Sequence, residues 1–167
     1  MRRSQEAEFE AYVREHRGEL VATARLLAGD AHLAEDLVQT ALVRLYLAWG
    51  RARRTQVAAY ARRILVNCFI DHRRRPWVRR EHSADAVPDR PTSTDPNTPI
   101  DRELLAALRD LPPRMRAAVV LRHVEDHSVE EVADALGCST GTVKSQTARG
   151  LDKLRAALIP HFQGDQS

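Results

Sequence analysis

Cysteine is scarce in this chain of 167 residues, with only two present, Cys68 and Cys138. Their separation matches neither a zinc site nor a disulfide framework, so both are expected to be small reduced thiols, buried or partly buried. Aromatic residues make up 5% of the sequence against a hydrophobic share of 43%. A core with so few rings must be packed by leucine, alanine and valine, as in helix bundles. No apolar run approaches the roughly 20 residues that cross a bilayer, and the opening MRRSQEAEFEAY lacks the apolar centre of a secretion signal. No membrane insertion and a cytoplasmic location are therefore expected. Glycine is also sparse and builds no phosphate cradle, and no nucleophile, base and orienting group fall at recognised offsets. His123 and His127 stand four apart, a spacing that can grip a metal on one helix face, but no third ligand accompanies them. No catalytic residue, metal site or cofactor is expected.

Acids are missing from one stretch. Between Arg51 and Arg80 there are ten arginines and a single acid, Asp71, although the net charge is only +3. A solvated face explains such a run, and so does contact with a polyanion.

What is present is clearest near the C-terminus, in SVEEVADALGCSTGTVKSQTARGLDKLRAAL, residues 128–158. Ser128 followed three places on by Glu131 is a capping box, which starts a helix at about Val129. Val129, Val132, Ala133 and Leu136 form one apolar stripe, and Gly137 supplies the left-handed backbone that ends the helix. Ser139 then caps a second helix with Val143, Thr147, Gly150, Leu151, Leu154 and Leu158 inward. Thr140, Lys144, Ser145, Ala148 and Arg149 fall on its other side. Two helices about a glycine turn make a helix-turn-helix, whose second member enters the DNA major groove with its N-terminal end leading. Ser139, Thr140, Thr142, Lys144, Ser145, Ala148 and Arg149 are the candidate DNA contacts, Arg149 for a guanine edge or a phosphate. A helical hairpin with a solvated outer face is the alternative.

The composition breaks at Val87 to Pro99, VPDRPTSTDPNTP, whose prolines and short polar residues suit a tether. The expected fold is all-α: two small helical domains, residues 1–80 and 100–160, joined by a flexible linker, 81–99, and ending in a tail, 161–167. In the first domain Phe9, Tyr12, Val13, Leu20, Ala24 and Leu27 mark a helix ending near Gly29. A second runs from Ala31 to Trp49, with Leu33, Leu37, Ala41, Leu45 and Trp49 inward and His32, Glu35, Asp36, Gln39 and Arg44 outward. Val38 and Leu42 widen its apolar face, a hint of a docking surface. A third covers Thr55 to Arg75, with Val57, Tyr60, Ala61, Ile64, Leu65, Cys68 and Phe69 inward. Asn67 lies elsewhere on it, a plain surface polar residue by spacing. Beyond the tether, a helix from Ile100 to Leu111 is expected to bury Leu104, Leu105, Leu108 and Leu111. Another, from Arg114 to Glu125, packs Met115, Ala118, Val119 and Val124 beneath the helix-turn-helix.

The order of the segments GDAHLAEDLVQTALVRLYLAW, AYARRILVNCFIDHRRR and LPPRMRAAVVLRHVEDHSVEEVADALGCSTGTVKSQTARGLDKLR resembles that of bacterial sigma factors of the extracytoplasmic-function group, in the actinobacterial sigma-E-like branch. The resemblance spans about Phe9 to Leu158. It implies a dissociable subunit that directs core RNA polymerase to chosen promoters, with no catalysis of its own. By that likeness the helix carrying Glu35, Asp36, Gln39 and Arg44 docks on the clamp helices of the largest polymerase subunit, and the flap of the second-largest subunit is a further partner. The next helix addresses the minus-ten element through Tyr60, Arg62, Arg63, Asn67, Arg73 and Arg74, with Asn67 against an unstacked base. The helix-turn-helix reads the minus-thirty-five element, and an anti-sigma factor covers these surfaces. Gln146 and Ala148 depart from the arginine and bulky residue that many relatives carry midway along the recognition helix. Trp77 is placed either to stack on DNA or to close the core. A helix-turn-helix regulator that is not a sigma subunit explains residues 100–160 equally well, but it calls for a receiver of alternating strands and helices before residue 80, and no such alternation is visible.

Overall fold

The structure, a computed structural model, describes residues 2–74 and 99–164. The expected tether therefore lies outside the described residues, as do Arg75, Trp77, Arg79 and Arg80. Every regular element among the described residues is helical.

The first unit is built on α1, Arg3–Ala28, and α2, Ala31–Leu47. Gly29 joins them in the left-handed conformation at φ 71°, and its N–H closes the end of α1 on the Arg25 carbonyl. Asp30 then caps α2, its carboxylate accepting from the His32 and Leu33 N–H groups at 3.1 and 3.3 Å. Such a cap contributes on the order of 1 kcal/mol. A one-turn helix α3, Trp49–Ala52, precedes α4, Val57–Arg74. Trp49 therefore belongs to α3 and not to the second helix, where sequence periodicity had put it. It is nonetheless buried, edge-on to Phe9 at 5.4 Å between ring centroids. Val38 is wholly buried and Leu42 packs against the same core, which removes them as a docking hint. The apolar side chains that α2 does expose are Val43, Tyr46 and Leu47.

In the second unit α5 spans Pro99–Arg109 and α6 spans Pro113–Val119, with Pro113 at the first turn, where its missing N–H costs nothing. Leu108 and Leu111 are buried as expected, whereas Leu104 and Leu105 are only half-buried. The expected helix to Glu125 instead widens into a π-helical turn, Val120–Val124, with Glu125 N–H reaching back to the Val120 carbonyl at 3.1 Å. Widening shifts the register of the residues after it. Val120 and Leu121 stay buried, but Val124 is carried out to 47% exposure, contrary to the stripe read from the sequence. Asp126, at φ 57°, completes the break. Then come α7, Val129–Leu136, and α8, Thr140–Gly164.

Helices α6 and α8 cross at Gly150, where backbone meets side chain. A Cβ there would collide with Val119 Cγ2 and lie 3.2 Å from Met115 Cγ. Gly150→Ala should lose stability by roughly 1–2 kcal/mol, because overpacking a filled core outweighs the better helix propensity of alanine. Denaturant unfolding of the purified chain measures this; a variant as stable as the parent would show that the crossing has slack.

The two units are not separate bodies in this structure. Leu27, Leu37, Leu65 and Phe69 from the first share one buried cluster with Leu108, Val120, Leu121, Val132 and Leu136 from the second. The separate core expected for each unit is replaced by this shared one. Helices α4 and α7 lie side by side along the seam.

Candidate nucleic-acid interface

The helix-turn-helix forms as its local chemistry dictates. Ser128 Oγ accepts from Glu131 N–H at 3.1 Å, and Glu131 Oε1 accepts from Ser128 N–H at 3.4 Å. These Ser128 bonds, with help from His127, hold the Glu131 carboxyl below the usual carboxylate range. Gly137 takes φ 64°, and Ser139 Oγ caps α8 by accepting from Thr142 N–H at 3.1 Å. Val143, Thr147, Gly150 and Leu154 face the core, while Ser139, Thr140, Thr142, Lys144, Ser145, Ala148 and Arg149 are all exposed on the opposite side. The hydroxyls are partly committed: Ser139 Oγ and Thr142 Oγ1 lie 2.9 Å apart, and Ser145 Oγ donates to the Gly141 carbonyl at 3.1 Å. Each keeps acceptor capacity for an incoming donor. Thr140, Lys144 and Arg149 are the side chains left to reach outward. Gln146 is half-buried on the flank.

Helix α4 turns Ala61, Leu65, Cys68 and Phe69 to the core. Burial pushes the Cys68 thiol up, as expected of an inert packing thiol. Tyr60 is half-buried against the cluster of Leu45, Trp49 and Ala52, so it serves that core as well as the surface. Asn67 is exposed and, with Arg63, lines an open cleft of about 460 Å³ whose far wall is Ala133 to Cys138. Arg73 is half-buried and Arg74 exposed at the end of the helix. Arg62 and Arg63 are both engaged within the chain. Arg62 pairs with Glu131 at 3.6 Å, and Arg63 forms an ion pair with Asp134.

On α2, Asp36 and Gln39 are exposed, Glu35 pairs with Arg17 of α1 at 2.6 Å, and Arg44 faces Asp71 of α4 at 3.6 Å. No group of three or more His, Cys, Asp or Glu able to hold a metal comes together among the described residues. His127 sits between carboxylates, 3.3 Å from Glu125 and 3.2 Å from Glu131, while His123 is exposed. No described helix is long and apolar enough to cross a membrane.

Sequence reasoning missed Arg116. Its side chain is 1% exposed, donating to the carbonyls of Leu27 at 2.6 Å, Arg109 at 2.7 Å and Leu111 at 2.9 Å. The guanidinium also lies 5.4 Å from the centre of the Phe69 ring. Burial, with Arg73 and Arg109 nearby, brings its pKa down to about 10. No local pattern could have marked it, because one acceptor comes from a carbonyl 89 residues away. Thr23, which donates to Glu125 across the same seam, was equally silent.

Comparison with known proteins assigns both units. Residues 12–79 match the family model "Sigma-70 region 2", and residues 101–154 match "Sigma-70, region 4". The RNA polymerase sigma-E factor of Streptomyces avermitilis is 43% identical over 157 residues, covering 90% of this chain and 85% of the relative. The chain belongs to the sigma-70 family. Within that family, relatives place this sigma factor in the extracytoplasmic-function group: the factor SigE of Mycolicibacterium smegmatis is 36% identical over 161 residues, covering 92% of this chain and 62% of the relative. Among solved structures, the sigma factor RpoE of Bartonella quintana, in complex with the anti-sigma factor NepR, superposes with a TM-score of 0.72 at 25% identity, over 91% of this chain and 97% of that one. This sigma factor is accordingly a promoter-specificity subunit for transcription initiation by RNA polymerase, and the reading as a free-standing helix-turn-helix regulator is not favoured.

Proposed function

We propose that residues 1–80 form the part of this sigma factor that docks on polymerase and opens the minus-ten element, that residues 100–160 read the minus-thirty-five element, and that 81–99 link them. The observation that carries the reading is the face of α8: the short hydroxyls, Lys144 and Arg149 all stand exposed at the end of a capped helix, opposite its buried stripe. A major groove admits one such helix, and a guanidinium there meets a guanine edge or a phosphate. Ser139, Thr140, Thr142, Lys144, Ser145, Ala148 and Arg149 are the residues assigned to the minus-thirty-five element. Lys144 contributes a mobile charge and Arg149 a planar fork.

Tyr60, Arg62, Arg63, Asn67, Arg73 and Arg74 are assigned to the minus-ten element. Strand opening requires cationic tracking of the backbone and a surface for an unstacked base, and the exposed Asn67 of α4 is the candidate for the second. Glu35, Asp36, Gln39 and Arg44 on α2 are assigned to the clamp helices of the largest polymerase subunit, and the second unit to the flap of the second-largest. An anti-sigma factor is a further partner, supported by the co-crystal of the Bartonella quintana relative. The site of action is the cytoplasm, where core polymerase and promoter DNA are found.

Asp36 is exposed, so its reversal tests docking without disturbing the fold. Asp36→Arg is expected to weaken association with core polymerase by about tenfold or more in a titration of labelled chain, the loss of one close charge pair across an interface, while leaving binding to a minus-thirty-five duplex unchanged. Unchanged polymerase affinity would remove Asp36 from the docking surface.

A further inference from the structure

The end of α4 comes beside the start of α6 and the first turns of α8, and an open cleft of about 290 Å³ lies among them. That volume is at the lower edge of small-molecule sites, roughly 300–1,000 Å³. Ile70 and Met115, both buried, give the cleft an apolar lining, and three arginines share it: Arg73 and Arg74 from α4 and Arg114 from α6. No carboxylate is among its described lining residues. Like charges held this close repel unless a counter-charge joins them, and a concave surface lined by one sign concentrates the field inside it. The neighbouring Arg116 feels that field. Burial first, then the charges of Arg73 and Arg109, bring its pKa down to about 10 against the opposing pull of Asp110.

Two further groups are set for a ligand. One N–H of Arg114 donates to the Leu136 carbonyl at 2.6 Å, which fixes the guanidinium and leaves other donors of the fork for the cleft. Gln146, from α8, lines the same cleft, and its amide oxygen is buried without a hydrogen-bond partner. The last torsion of a glutamine is soft, so a half-turn puts an N–H donor in place of that oxygen. Neither Arg114 nor Gln146 is among the residues assigned to the minus-ten or minus-thirty-five element.

We propose that this cleft is a binding site for a diphosphate group, inorganic or carried by a nucleotide. A planar guanidinium fork matches two phosphate oxygens at once, and a diphosphate concentrates enough charge in a small volume to face three such forks. A single carboxylate does not. Arg73, Arg74, Arg114 and Gln146 take the phosphoryl oxygens, and the apolar lining of Ile70 and Met115 suits the ribose or base of a nucleotide. RNA synthesis consumes nucleoside triphosphates and releases diphosphate, so anions of this class surround any initiation factor.

The test is titration calorimetry of the full chain with sodium diphosphate at about 0.15 M salt, run in parallel with a nucleoside diphosphate and with citrate. Expected is saturable binding of diphosphate at one site, about tenfold or more tighter than citrate, which brings comparable charge without the phosphate geometry. A further gain with the nucleoside diphosphate would make a nucleotide the source of the group, and no gain would make it the inorganic ion. Arg74→Ala, at an exposed position, and Gln146→Glu, which sets a carboxylate against the ligand, should each weaken binding about tenfold or more, the effect of losing one charge-assisted hydrogen bond. Lys153→Ala removes an exposed cation of α8 outside the cleft and should leave binding unchanged. Absence of saturable diphosphate binding, citrate binding as tight, or an equal loss with Lys153→Ala would each overturn the proposal. None of these measurements involves DNA, so their failure stands apart from the minus-ten assignment of Arg73 and Arg74.

Discussion

Replacing Lys144 and Arg149 together by alanine should erase the preference of this sigma factor for its upstream promoter element while sparing its association with core polymerase. Both side chains are exposed on the outward face of α8, away from Val143, Thr147 and Leu154, so their loss leaves the packing intact. A bidentate arginine contact to a base edge discriminates by about 1–3 kcal/mol, and a lysine on a phosphate adds affinity that vanishes with salt. The arginine contact predicts a fall of roughly 5- to 150-fold in the ratio of binding to matched and scrambled duplexes, and the lysine a salt slope reduced by about one. Competition binding at two salt concentrations reads both quantities. Equal promoter choice by parent and double variant would refute the recognition-helix assignment.

The second large effect is on stability. Arg116→Ala removes a guanidinium that satisfies the carbonyls of Leu27, Arg109 and Leu111, and it leaves a cavity against Phe69. Each buried acceptor left unpaired costs about 1–3 kcal/mol, so a loss of at least about 3 kcal/mol is expected. That is a large share of the stability of a domain this size. Arg116→Lys should fall between, since an ammonium has no planar fork to reach three acceptors at once. Denaturant unfolding followed by far-ultraviolet circular dichroism measures the series. An alanine variant within about 1 kcal/mol of the parent would mean that water replaces the guanidinium and that the bolt across the seam is dispensable.

How far the sequence could be read depended on whether a feature was local. The capping box of Ser128 and Glu131, the turn at Gly137, the cap at Ser139 and the stop at Gly29 were legible because each is written within a few residues. The inner stripe of α8 came from periodicity, and with it the outward face that carries the DNA assignment. Helix α3 and the π-helical turn were not legible. Both are changes of winding settled by packing against distant elements, which is why Trp49 and Val124 were misplaced. Val38 was read as surplus apolar surface because the sequence does not say how many neighbours a helix will have, and here it has enough to bury that side chain fully. The shared core, the Arg116 bolt and the pairing of Arg62 and Arg63 with α7 all join residues far apart in the chain. An arginine with alanines and valines after it carries no mark of whether it will point to water or to three carbonyls.

Promoter-directed initiation is tested most directly by transcription in a defined system: core RNA polymerase with and without this chain, on a library of randomised promoter sequences, with the transcripts sequenced. RNA is predicted to begin only when the chain is present, and from templates that share two sequence blocks upstream of the start, one for each unit of the chain. Transcripts that start at the same templates without the chain, or none from any template with it, would contradict the assignment of this protein as a promoter-specificity subunit.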